Sequence, residues 1–434
     1  MEQFLEEARK VCQEAEVFFV THKSTPVSFE ANRLKSLETN ETRGIALRIV
    51  KDGRIGFAAS NNLEDVKGLV DRAVEVAPFG AEAKFTLPSS NSYPSVEVYD
   101  PEVEAVTVEQ MVELGQSLVD GVRKHTPEIL CDAGVTQSVT EVNIINSRGG
   151  QTGYKKSVFG LGLEGTLIRG TDMLFVGDGQ SSCRPITEHH SILKKVHDQL
   201  DMAKETAHAP SGEVPVIFTP HGVAAALLSP LSMAFNGKTV LQGASPLVGK
   251  LGQKLCDDRF SLWDDATLNY RPGSRPCDDE GVPTQRIPLI ERGVVGSFLY
   301  DLQTAAQAKA QSTGSASRGM GSLPSPSTSL LIIDEGDVSY EDMLSDVKEG
   351  LVVERLLGVG QSNVLGGDFS GNVLLGYKVE QGRVVGRVKN TMISGNVYEA
   401  LNNLVAIGKE GEWVGGSLRL PPLYCRNISV SRKE

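Results

Sequence analysis

The sequence predicts an α+β fold, with N-terminal helix-and-antiparallel-sheet units followed by a strand-rich C-terminal domain. Three observations carry that expectation. Strand and helix patterns arrive in blocks, without the regular βαβ alternation of a doubly wound sheet. One hairpin signature recurs along the chain, and the helical stretches carry capping residues and a single apolar stripe. At 434 residues the chain exceeds one ordinary core. It divides into an α+β domain over 1–100, a central α+β domain over 101–210 and a strand-rich domain over 211–434.

Leu5, Ala8, Val11 and Cys12 recur at helical spacing, after which residues 27–60 alternate as antiparallel strands. Residues 61–77 read as a helix with an Asn cap and Leu63, Val66, Leu69, Val70, Ala73 and Val74 on one stripe. Ser89 to Pro101 is broken by Pro and Ser, and Thr107 with Gln110 then forms a capping box for the next helix. Strands follow over 141–165 and a helix near 188–207. The polar Pro/Gly stretch from His208 marks a boundary before a buried strand at Val214 to Phe218.

The recurring signature occupies 50–58, 289–299 and 378–388, with a looser copy at 145–154. Each has apolar residues around a charged-x-Gly turn and a second Gly beyond it. It reads either as common hairpin chemistry or as internal duplication. Ser312 to Ser329, rich in Ser, Gly and Pro, is expected to be a long mobile loop at the rim of a binding cleft.

Lys and Arg total 43 against 55 Asp and Glu, a formal charge of −12 that repels a phosphate backbone and argues against nucleic-acid partners. Six scattered cysteines without a CxxC pair fit a reducing cytoplasm. The acidic amphipathic N-terminus lacks signal-peptide character, and the longest apolar run, Val223 to Leu228, is too short for a bilayer. A cytoplasmic protein with no membrane partner is expected.

Local motifs for catalysis are sparse. His190 and His197 share a helical face without the closer spacing or the carboxylate a metal prefers. Asp278, Asp279 and Glu280 read as a divalent-cation cluster or as an acidic turn feeding a hairpin strand. The glycine-rich stretch 356–377 has no phosphate-loop lysine or dinucleotide fingerprint, and no Gly-x-Ser-x-Gly elbow occurs. In HGVAAALLSPLSMAFNG (221–237), His221 is the one imidazole, there is no Glu, and Pro230 is expected to kink a helix. His221 reads as a cap or packing residue near a helix start.

Four blocks in order, FEANRLKSLETNETRGIALRIVKDGRIGFAAS, FTPHGVAAALLSPLSMAFNG, DDEGVPTQRIPLIERGVVGSFLYDLQTAAQAKAQSTGSASR and GNVLLGYKVEQGRVVGRVKNTMISGNVYEAL, make nearly the whole chain resemble the TldD/PmbA family. That family was once labelled as modulators of DNA gyrase and is now viewed as metallopeptidase subunits. In its TldD branch a His-Glu-x-x-x-His motif follows an apolar Leu-Leu pair. Aligned after Leu227 and Leu228, that motif falls on Ser229, Pro230 and Ala234. The family's third ligand, a cysteine in a Gly-rich segment near the C-terminus, has no match, since Cys425 follows the proline pair.

The resemblance therefore implies the PmbA (TldE) branch: a chain without its own cofactor, paired with a TldD-like catalytic subunit that holds zinc, or with itself. It also implies an enclosed cavity for small or unfolded peptides, including leader peptides of modified microcins, with Arg318 and Ser317 as candidates for a peptide-binding rim. Two rivals stay open from the sequence: a homodimeric hydrolase using Asp278, Asp279 and Glu280, and a peptide-binding regulator.

Overall fold

The computed structural model describes residues 1–89 and 92–432; residues 90 and 91, inside the Pro- and Ser-broken stretch, and 433 and 434 lie outside it. Strand outweighs helix, and the class is α+β, as the block pattern predicts. Helix α1 (Glu2–Arg9) leads into β1 (Glu14–Glu30), β2 (Arg33–Leu37), β3 (Asn40–Lys51) and β4 (Arg54–Ser60), all paired antiparallel. The β3–β4 turn puts Asp52 and Gly53 at φ 49° and 73°. Arg292–Gly293 (48° and 74°) and Gln381–Gly382 (48° and 77°) do the same. The three recurrent signatures thus share one two-residue turn that needs left-handed backbone at both positions. The second glycine of the first copy, Gly56, serves close approach: a Cβ there would lie 2.1 Å from the Ala73 carbonyl oxygen.

That carbonyl belongs to α2 (Val66–Val76), whose Leu69, Val70 and Ala73 are buried against the sheet. Its cap is Asp65, which accepts the Gly68 N–H, and the expected Asn cap lies too early in the chain. Helix α3 (Pro101–Ala105) precedes α4 (Val108–His125), which has the expected Thr107–Gln110 capping box. β5 (Leu130–Asn146), β6 (Gln151–Arg169) and β7 (Asp172–Ser182) then extend the first sheet, because β5 pairs along β1 from Glu16–Asn146 to Phe29–Ala133. The order β4-β3-β1-β5-β6-β7 therefore runs through residues 14–182 as one sheet. Helix α5 (His190–Met202) packs beside β7 and α4.

The C-terminal half is built on a ring of strands. Gly212–Phe218 pairs with Glu349–Leu357 and Leu423–Arg432; the latter pairs with Thr391–Asn396, which pairs with Asp368–Glu380, and that strand returns to Glu349–Leu357. Closure leaves these five strands without free edges. Val216, Phe218, Leu351 and Val353 face one core, while the alternate residues Ile217 and Val352 face another. Burial on both faces explains why this stretch is apolar without alternation. The second core also takes Val27, Phe29, Met111 and Val135, so the two halves share buried apolar surface.

A buried ionic chain joins them as well. Arg48 on β3 reaches Glu16 at 2.8 Å and Glu280 at 2.5 Å, and Arg318 reaches Glu16 at 2.7 Å, with all four side chains 3 % exposed or less. Burial pushes the Glu16 carboxyl up, but Arg318 and Arg48 outweigh it and hold it below the usual range. Glu280, with Arg48 pulling the other way, is pushed by burial up to about 7.

Candidate functional site

The segment on which the sequence comparison centres opens at Thr219, whose hydroxyl accepts the Gly222 N–H. Pro220 occupies the first turn, where its missing N–H costs nothing. His221 is thus inside the first turn, and Thr219 is the cap. The helix runs over Pro220–Val223, widens into a π turn at Ala224–Leu228 and resumes over Ser229–Ala234. Pro230 has no N–H for the Ala226 carbonyl, and its ring crowds that oxygen; the wider turn absorbs both problems where a kink is expected.

Ser229 is exposed, while Pro230 and Ala234 are buried among Leu227, Leu228 and Leu231. A hydroxyl, a pyrrolidine ring and a methyl group do not make a zinc site, which wants imidazole, thiolate or carboxylate donors. Among the described residues no three His, Cys, Asp or Glu side chains form a metal-holding group. Zinc does not fit the residues present.

Beside the first turn of this helix opens a cleft of about 980 Å³, lined by β7, α5, Thr219 and Pro220, Glu354 and the 408–413 loop. Some of its charged and polar groups are held in pairs. His221 Nε2 lies 3.4 Å from Asp178 Oδ1, Lys195 pairs with Glu412, and Gln199 Nε2 donates to Glu354 at 2.8 Å. Burial pushes Asp178 up to about 6, with Lys195 opposing, and it also raises Glu354. Burial lowers His221 to about 4, helped by Lys195 and Arg355. Asp178 therefore gains its proton before His221 does as pH falls, and the pair never becomes a stable imidazolium–carboxylate bridge. At neutral pH a neutral imidazole faces a carboxylate, and His221 Nδ1 has no partner among the described residues. Such a cleft offers acceptors and donors to a polar chain, with seven acidic residues against four basic ones in its lining.

The family profile described as the PmbA/TldA metallopeptidase C-terminal domain matches residues 211–432, more than half the chain, and the profile for domain 1 matches 15–77. The chain belongs to the PmbA/TldD metallopeptidase family. An uncharacterized protein of Methanocaldococcus jannaschii is 27 % identical over 415 residues, covering 94 % of each chain. A protein named metalloprotease PmbA homolog from Haemophilus influenzae is 24 % identical over 421 residues, covering 94 % of this chain and 90 % of its own. The crystal structure of TldE from Thermococcus kodakarensis superposes with a TM-score of 0.89 at 24 % identity, over 99 % of each chain, which shows a common fold.

Asp178, Lys195, Glu354 and Glu412 are missed by sequence reasoning in this PmbA/TldD chain. One signal was there: Asp178 stands between two glycines in strand β7, three residues of types that strands disfavour. The acidic turn diverges onto separate partners. Asp278 accepts the N–H groups of Glu280, Val282 and Ala316; Asp279 binds Arg275 and the Arg318 N–H; Glu280 binds Arg48 and the Leu302 N–H. The cation-cluster alternative lacks convergent oxygens, and the turn is held in place by these bonds.

The same carboxylates correct the expected mobile loop. Ala316–Ser317 pairs with Ser325–Pro326, Thr313 to Ala316 are buried, and Asp264 takes the Ser329 and Leu330 N–H groups. Ser317 is half-buried, and the Arg318 side chain is buried against Glu16 and Phe18. His197 stacks on His125 at 4.5 Å, whereas His190 stays exposed. Among the described residues no helix is long and apolar enough to cross a membrane.

Proposed function

We propose that this chain is a non-catalytic, PmbA (TldE)-type subunit of a TldD/PmbA metallopeptidase acting on small or unfolded peptides. Ser229, Pro230 and Ala234 form its pseudo-active site. The observation that carries the reading is the donor set of 220–234: a family helix kept in place, with no side chain able to ligate zinc where the TldD branch has its motif. Zinc belongs in a TldD-type partner. This chain stabilises that partner, closes the cleft and helps hold an extended peptide through strand addition and the polar groups around Asp178 and His221. Six free cysteines, five of them buried, accord with a cytoplasmic setting.

The test is the zinc-to-chain ratio of the purified protein by elemental mass spectrometry, followed by co-expression with a TldD-like chain. A ratio near zero, with peptide cleavage only in the co-purified pair, is expected. A ratio near one in the isolated chain, with cleavage lost on chelation, would overturn the reading.

A further inference from the structure

A second cleft, of about 330 Å³, lies between the face of the N-terminal sheet and the 312–329 segment, away from the one beside His221. Its lining combines two chemistries. Phe18, Val20 and Val142 with Met320 supply an apolar wall, and Lys156, Arg275 and Arg318 supply cations, the Arg318 guanidinium lying 4.2 Å over the Phe18 ring, with Asp279 as the one acid in the lining.

The cations are short of acceptors. Arg318, its side chain fully buried, donates through Nη2 to Glu16 at 2.7 Å and to the Asp279 carbonyl at 2.5 Å. Its Nε and Nη1 have no partner among the described residues. Arg275, 8 % exposed, donates to Asp279 at 3.1 Å and to the Ala316 carbonyl at 2.9 Å, and its Nε is likewise unpartnered. Lys156 donates to the Pro272 carbonyl at 2.8 Å and has no carboxylate in ion-pair range among the described residues. Burial, reinforced by Arg275, lowers its ammonium to about 8, with Cys183 and Asp279 opposing. Buried N–H donors left unmade carry their full desolvation penalty, and a planar carboxylate suits guanidinium geometry.

We propose that this cleft binds the C-terminal carboxylate of an extended peptide, with Lys156, Arg275 and Arg318 at the anion and the Phe18, Val20, Val142 and Met320 wall against the last side chain. A C-terminal residue carries its carboxylate and its apolar side chain on one carbon, matching cations beside an apolar wall in a space of one or two residues. An internal Asp or Glu lacks the apolar half. The inference rests on the peptide-holding role proposed above and gives that role a direction: the chain end enters here.

The experiment is a fluorescence-anisotropy titration of the full chain with an N-terminally labelled Ala-Ala-Ala-Ala-Leu peptide, as free acid and as C-terminal amide, with N-acetyl-leucine as competitor. The free acid should bind about tenfold tighter than the amide, the scale of one charge-assisted hydrogen bond. Lys156→Gln, outside the Glu16–Arg48 chain, should remove that difference without changing the melting temperature. Thr140→Trp, filling the cleft from β5, should weaken the acid without touching any arginine. Equal binding of acid and amide would overturn the proposal while leaving the peptide-holding role standing. N-acetyl-leucine binding as tightly as the peptide would replace the peptide end by a free small carboxylate. Binding of neither peptide would sink the proposal, and zinc content with co-purification would still decide the subunit reading.

Discussion

Replacing Asp178 by Asn should expose a pH dependence that the wild-type chain hides. Asp178 and His221 are 11 % and 18 % exposed, so solvent screening removes little from their shifts. The carboxyl moves from 3.8 to about 6, so between those values the folded state holds a proton that the unfolded state has released. Stability therefore falls by roughly 3 kcal/mol as pH climbs through that window, at about 1.36 kcal/mol per pH unit. The imidazole moves from 6.5 to about 4, so there the unfolded state holds the proton and the folded state does not. Stability rises by roughly 3 kcal/mol over nearly the same window, and the two slopes cancel. Urea denaturation between about pH 4 and pH 7 separates them. Asp264, Asp278 and Glu280 also titrate high, but they drop out of a variant-minus-wild-type profile. That profile should climb by roughly 3 kcal/mol for Asp178→Asn and fall by a similar amount for His221→Asn. Profiles flat to within about 1 kcal/mol would refute the burial argument for the pair.

Three further outcomes are expected. Arg48→Met leaves Glu280 a buried acid without a cation and Glu16 with Arg318 alone, and should cost about 3 kcal/mol by urea denaturation; a loss below about 1 kcal/mol would show that the ionic chain holds nothing together. Asp65→Ala should cost about 1 kcal/mol as a lost helix cap, whereas Asn61→Ala should be close to neutral, and the reverse order would restore the Asn cap read from the sequence. Ala234→His pushes an imidazole into a fully buried site and should destabilise by about 1–3 kcal/mol. Combined with Ser229→His it should still bring no zinc by elemental analysis, because two imidazoles alone do not complete the four-coordinate site zinc takes; one zinc per chain would contradict that.

Local chemistry was legible and long-range pairing was not. The Thr107–Gln110 capping box, the Asp52–Gly53 turn and the apolar 214–218 strand each follow from a few neighbouring residues. The join of β1 to β5, more than a hundred residues apart, leaves no local trace, since both strands read alike whichever sheet they enter. Arg48 shows the limit most clearly: it sits in an alternating strand where the solvent face is expected, yet its partners are Glu16 in the next strand and Glu280 in the other half of the chain. Ser312 to Ser329 looked mobile because Ser, Gly and Pro promise no core. Its order comes from Asp264, Asp278 and Asp279, which draw its backbone amides inward, a role that acidic residues do not announce in sequence.

The 220–234 helix is the opposite case, singled out through resemblance and unexplained by local chemistry. Its order rests on what surrounds it. Leu227, Leu228, Leu231 and Ala234 remain buried in the C-terminal core, and the π turn lets Pro230 stand where a metal-site helix needs regular spacing. A segment that fills the core keeps its packing whether or not it carries metal ligands. The same argument predicts where function can persist: in the polar groups that the packing does not consume, namely His221 Nδ1 and the unpartnered arginine nitrogens, rather than along the helix itself.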